Sequence, residues 1–169
     1  MNGKGFEKLI KESCVLQGVD ITRLFDAGSY VGGEQTGTGR RFTTKNICDF
    51  ILFDEGKIVF VEAKHRKQSI TFESITQRKG LQKKYEASSQ GKLLDCGLLV
   101  WFGNVEQCWW VHVGALDELQ FITGKKSFNA KDCMKLSEEH PALCMLVDQY
   151  VPTGKRAMKL DMKTFVFDC

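Results

Sequence analysis

The stretch NICDFILFDEGKIVFVEAKHRK, residues 46–67, decides the fold. Two runs rich in β-branched, aromatic and leucine side chains, NICDFILF and KIVFVEAK, flank Asp54-Glu55-Gly56. Apolar runs separated by a short polar turn with a glycine predict a β-hairpin. A two-residue loop at Glu55-Gly56 pairs Asp54 with Lys57, and a four-residue loop pairs Phe53 with Ile58. Both give one register, and it sets Asp49 opposite Glu62. Alternate residues share a face, so Lys64 joins the two acids one step further from the turn. The other face carries Cys48, Phe50, Leu52, Val59, Val61 and Ala63. Nearer the turn, the acids' own face carries Ile51, Phe53, Ile58 and Phe60, so burial on both sides is expected.

Charge in such a strand demands a reason. Directly opposed residues have Cβ atoms about 4.5–5.5 Å apart, where like charges repel. Two carboxylates in a dry site cannot both ionise unaided. They can share a proton, lean on the Lys64 ammonium, or hold a divalent cation, which takes oxygen ligands. The ordinary alternative is a surface hairpin with a Glu and a Lys at its frayed end. Glu-x-Lys pairs are common, but an Asp set opposite by an apolar-backed hairpin is not.

Around the hairpin, Phe6, Leu9, Ile10 and Cys14 follow helical spacing, predicting a helix over 4–17 stopped at Gly18. Residues 26–45 are rich in Gly, Thr and Ser and read as a loop or extended excursion ending in Arg40, Arg41 and Lys45. Residues 71–90 read as a helix, polar and basic on one side. GLLVWF (97–102) and QCWWVHV (107–113) read as strands joined at Gly103-Asn104, with a short helix over 114–122. Residues 129–150 suggest helix interrupted near Pro141, and MKTFVFD (162–168) a final strand. This order predicts an α/β fold, a central mixed sheet flanked by helices, in a single domain spanning 1–169.

The chain has 169 residues, 43% hydrophobic and 27% charged, as expected of a soluble globular domain with a real core. No apolar run is long enough to cross a bilayer, so no membrane partner is expected. MNGKGFEKLI lacks the apolar centre of a signal peptide, and the expected location is the cytoplasm. The seven cysteines form no Cys-x-x-Cys pair and sit among apolar residues, so they read as free thiols in a reducing compartment. The net charge of +3 is small, but between Lys57 and Lys92 nine basic residues face only Glu62, Glu73 and Glu86. That excess suits a nucleic-acid surface or a solvated helix face.

Asp49 followed by Glu62-Ala63-Lys64 resembles the signature of the PD-(D/E)XK nucleases. Within that superfamily, the chain is similar to the RecU-type Holliday junction resolvases of bacteria and their phages. GKGFEKLI resembles that family's first helix, with Glu7 at its glutamate position, and Gln77 followed by Leu81 resembles its glutamine helix. The likeness covers residues 3 to about 103. Cys48 stands where the superfamily has proline and where the RecU-type pattern often has threonine, and Gln82 competes with Gln77.

The resemblance implies a restriction-endonuclease-like fold and a homodimer that cuts branched DNA by Mg²⁺-dependent phosphodiester hydrolysis, with Mn²⁺ as a substitute. It implies Asp49, Glu62 and the Ala63 carbonyl as metal ligands, with Glu7 reaching the site. Lys64 would act on water and phosphate, and Gln77 would orient a ligand or the water. Arg40, Arg41, Lys45, Arg66, Lys67, Arg78 and Lys79 are the expected DNA contacts. Other nucleases of the superfamily, acting on ends, damage or a sequence site, and an inert DNA-binding protein are the alternatives.

Other residues carry less. Alternation points His65 away from Asp49. His112 reads as a packed or edge residue. At most one of Trp109 and Trp110 is expected in the core, because neighbours on a strand face opposite ways. Gly32-Gly33 and Gly37-x-Gly39 do not open a helix after a strand, so no nucleotide cofactor is expected.

Overall fold

In the computed structural model, which describes residues 1–24, 46–88 and 94–168, the hairpin forms in the expected register. Strands β2 (Phe50–Asp54) and β3 (Lys57–Arg66) pair Asp54 with Lys57 and Phe50 with Val61. Glu55 and Gly56 both take positive φ, 46° and 85°, the combination that matches the twist of flanking strands.

The hairpin lies inside a six-stranded sheet. Its order is β1 (Asp20–Arg23), β2, β3, β5 (Leu94–Phe102), β6 (Gln107–His112) and β8 (Cys144–Val147). Only β3 and β5 run parallel. Parallel neighbours need a long crossover, and residues 67–93 supply it. That crossover is not one helix over 71–90. It holds β4 (Ser69–Thr71), a 3-10 turn (Phe72–Ser74) and α2 (Arg78–Ser88). The first part is extended because Ile70 pairs with Phe128 of a remote strand, β7 (Ser127–Asn129), and both are buried.

Helices cover both faces of the sheet. Helix α1 (Gly3–Gln17) ends where the Gly18 N–H closes onto the Cys14 and Val15 carbonyls. It packs one face together with α5 (Met162–Asp168), around Phe50, Leu52, Val59 and Val61. The opposite face is covered from α2, α3 (Ala115–Thr123) and α4 (Ala130–Glu139). This makes the fold α/β, a mixed sheet between helical layers.

Several expectations are corrected. MKTFVFD is helix α5, since Met162, Phe165 and Val166 recur at helical spacing and bury against the α1 side. Within 129–150, helix α4 stops at Glu139. The chain beyond Pro141 is strand β8, drawn into the sheet beside β6. Both Trp109 and Trp110 are buried, at 4% and 0% exposure, because each face has its own core. The hairpin is fully buried on one side only. Phe50, Leu52, Val59 and Val61 are inaccessible, whereas Phe53 is 38% exposed and Ile51, Ile58 and Phe60 are half-buried.

One close approach ties the centre together. A Cβ on Gly97 would stand 2.4 Å from the Val111 carbonyl oxygen and 2.7 Å from Trp110 Cη2, so β5 fits beside β6 only with glycine there. The six described cysteines are buried free thiols. Among the described residues no helix is long and apolar enough to cross a membrane. A ribbon of β9 (Gln149–Tyr150) and β10 (Lys159–Leu160) completes the fold.

Candidate metal and DNA site

Asp49 lies at a bend immediately before β2. Its N–H donates to the Val61 carbonyl at 3.1 Å, although Phe50 already pairs with Val61, so the ladder ends in a bulge rather than running on in register to an Asp49–Glu62 pair; the two carboxylates are nevertheless close enough to interact. The Asp49 Oδ2 accepts the Ala63 N–H at 2.9 Å. Glu62 is 1% exposed, the only carboxylate among the described residues to be so fully buried. Its Oε1 meets Lys64 Nζ at 2.6 Å, and its Oε2 is buried with no partner. Burial pushes the Glu62 carboxyl up to about 7. The Lys64 ammonium pulls against that rise, and the Asp49 carboxylate adds to it, by its charge and by accepting a hydrogen bond from Glu62 when Glu62 is protonated; ionised, Glu62 has no donor for Oε2. The structure thus brings Asp49, Glu62, Ala63 and Lys64 together.

Cys48 does not share the face of Phe50 and Leu52 as alternation predicted: it packs in the core on the α2 side, with Ile51 and Phe60. Burial, helped by the Glu62 and Asp49 charges, pushes its thiol up to about 12, and Sγ donates to the Phe50 carbonyl at 3.2 Å. It is a neutral, buried filler.

Glu7 is ion-paired with an arginine. Its Oε2 pairs with Arg23 Nη2 at 2.6 Å, and Arg23 sits on edge strand β1 in register with Phe50. Among the described residues no three His, Cys, Asp or Glu side chains converge as a metal cluster. Arg23 was not singled out in the sequence. Nothing local marks it, because its place beside Glu7 follows from β1 joining the sheet edge under α1.

Gln77 precedes α2 rather than lying within a helix. Its carbonyl accepts the Leu81 N–H at 3.0 Å, and its side-chain oxygen accepts the Thr76 hydroxyl at 2.8 Å. Gln82 is half-buried on α2. Neither amide donates to Asp49 or Glu62. The start of α2 nevertheless covers the approach to Asp49, since a Cβ on Gly80 would stand 3.3 Å from Ile47 Cγ2.

The expected DNA contacts divide. Arg66 and Lys67 are exposed where β3 leaves the site, and Lys79 is exposed on α2. Arg78 is committed within the protein, to Asp117 and, at 3.3 Å, to Gln120 of α3. Arg40, Arg41 and Lys45, with the excursion 26–45, lie outside the described residues. His65 is half-buried, and burial, the N-terminal ammonium and Arg66 lower its pKa. His112 is buried, as a packed residue should be. Its Nδ1 accepts the Gly114 N–H at 3.1 Å, and the Tyr85 ring stands edge-on at 4.5 Å. Its Nε2 is 3.3 Å from Asp95 Oδ1, near enough for an ion pair but not aligned for a hydrogen bond.

No protein-family model and no curated protein matches the chain. Among solved structures, it is similar to Hjc of Archaeoglobus fulgidus, described as a Holliday junction resolvase from an archaeal hyperthermophile. The identity is 12%, the match covers 77% of this chain and 90% of that one, and the TM-score is 0.47.

Proposed function

We propose that the chain is a Mg²⁺-dependent endodeoxyribonuclease that hydrolyses phosphodiester bonds of branched DNA, works as a homodimer and acts in the cytoplasm. The observation that carries this reading is the juxtaposition of Asp49, Glu62 and Lys64 on one face of the hairpin. The residues fit a hard cation. Glu62 presents a buried, unpartnered Oε2 beside a second carboxylate, and Mg²⁺ is commonly held by one or two carboxylates plus waters and phosphate oxygens. Asp49 and Glu62 would hold the ion, with the Ala63 carbonyl as the ligand implied by the family resemblance. When bound, the ion supplies Lewis-acid stabilisation and lowers the pKa of water.

The chain's own groups do the rest. Asp49 is oriented by the Ala63 N–H, which holds its carboxylate within reach of Glu62. The Lys64 ammonium, which has only donors to offer, orients the attacking water and neutralises charge on the phosphate. Arg66, Lys67 and Lys79 offer phosphate contacts. Arg78 braces α2 against α3. Two-fold symmetry in the protein suits paired cuts in a four-way junction.

The test compares cleavage of a four-way junction with that of linear duplex of the same sequence, with Mg²⁺ and with chelator. Metal-dependent, junction-preferring cleavage is expected. Equal cleavage of both would move the protein to another nuclease of the same superfamily. No cleavage of any DNA with Mg²⁺ or Mn²⁺ would leave a DNA-binding protein with an inert hairpin.

A further inference from the structure

The last turn of α1 exposes two adjacent apolar side chains on a helix whose outer surface is otherwise charged. The helix buries Phe6, Leu9, Ile10, Ser13 and Cys14 against the sheet. Val15 and Leu16 lie off that stripe and are 74% and 48% exposed. They line a groove of about 570 Å³, whose far side comes from β10 and the loop before it. Its rim is basic. The one acid there, Glu12, is already paired, with Lys159 at 2.6 Å and Lys8 at 3.7 Å. The side chains of Lys11, Lys155 and Arg156 have no acidic partner among the described residues.

The groove is also remote from the hairpin acids. It lies along the last turns of α1, on the helical layer that packs the sheet face opposite α2.

An aliphatic floor with unpaired cations around it selects its occupant. Single-stranded nucleic acid is held on aromatic stacking platforms, and no aromatic residue lines this groove. A peptide with apolar anchors and carboxylates satisfies both features, and amphipathic segments docking into apolar grooves are a general mode of recognition. We propose that this groove docks an acidic peptide segment of a partner protein. Its Leu, Ile or Phe side chains would rest on Val15 and Leu16, and its carboxylates on Lys11, Lys155 and Arg156.

The test pans a displayed library of random short peptides against the full chain, then measures synthetic copies of the enriched sequences by fluorescence anisotropy. Enriched peptides should carry Asp or Glu around apolar residues and bind less tightly as salt rises. Lys155→Glu/Arg156→Glu and Val15→Asp/Leu16→Asp, each checked for an unchanged thermal transition, should weaken them on the order of tenfold or more. A peptide with Lys in place of its acids should recover binding to Lys155→Glu/Arg156→Glu. No enrichment, enrichment of basic sequences, or equal affinity for wild type and variants would overturn the proposal. So would a single-stranded oligonucleotide that binds with the same sensitivity to the variants, since the groove would then be a nucleic-acid site.

Discussion

Glu62→Gln, without divalent cation, should stabilise the protein, and by an amount that depends on pH. In the folded chain burial raises the Glu62 carboxyl from an ordinary 4.5 to about 7. Below pH 4.5 the carboxyl is protonated in both folded and unfolded chains, and the substitution changes little. Between 4.5 and 7 the folded chain holds a proton that the unfolded chain has released, so wild-type stability falls as pH rises through that window. Above 7 the full penalty of a buried charge is present. At about 1.4 kcal/mol per tenfold in proton affinity, the gap corresponds to about 3 kcal/mol. For a domain of this size that is a rise in Tm of roughly 6–12 °C. Thermal melts of both proteins from pH 4 to pH 8 in chelator would show the difference opening with pH. Adding Mg²⁺ at about 100 times its Kd should then stabilise wild type by about 2.7 kcal/mol and leave the variant unchanged. A difference that does not vary with pH, or a variant less stable than wild type at pH 8 in chelator, would refute the account of Glu62 as a desolvated, unsatisfied carboxylate.

The remaining predictions concern cleavage, metal and packing. Asp49→Asn and Glu62→Gln should each abolish junction cleavage while a mobility-shift assay still shows junction binding, because the phosphate-binding surface is untouched. Lys64→Ala should lose most of the cleavage rate while calorimetry shows nearly unchanged Mg²⁺ affinity. Sedimentation should give a dimer, since paired incisions need two sites related by two-fold symmetry. Gly97→Ala should cost at least about 1–3 kcal/mol in denaturant unfolding, because its methyl has nowhere to go between Val111 and Trp110.

The hairpin was legible in the sequence because its determinants are local. Turn length and alternation set the register of Phe50–Asp54 against Lys57–Val61 and the common face of Glu62 and Lys64, but not the bulge at Asp49. Helix α1 was equally local, with an apolar stripe ended by Gly18. What the sequence could not supply was which surfaces meet. Trp109 and Trp110 are both buried because helices cover both sheet faces, which no single strand records. MKTFVFD is helical because α1 and the sheet offer it a place to bury Met162, Phe165 and Val166, and seven residues are too few for periodicity to settle. Residues 69–71 are extended because Phe128, far along the chain, pairs with Ile70. At the site, the sequence placed two acids and an amine on one face. Tertiary structure decided the rest, burying Glu62, leaving its Oε2 without a partner, and giving Glu7 to Arg23. Those outcomes depend on desolvation and on charges brought close by packing, and neither is a property of any residue's neighbours in the chain.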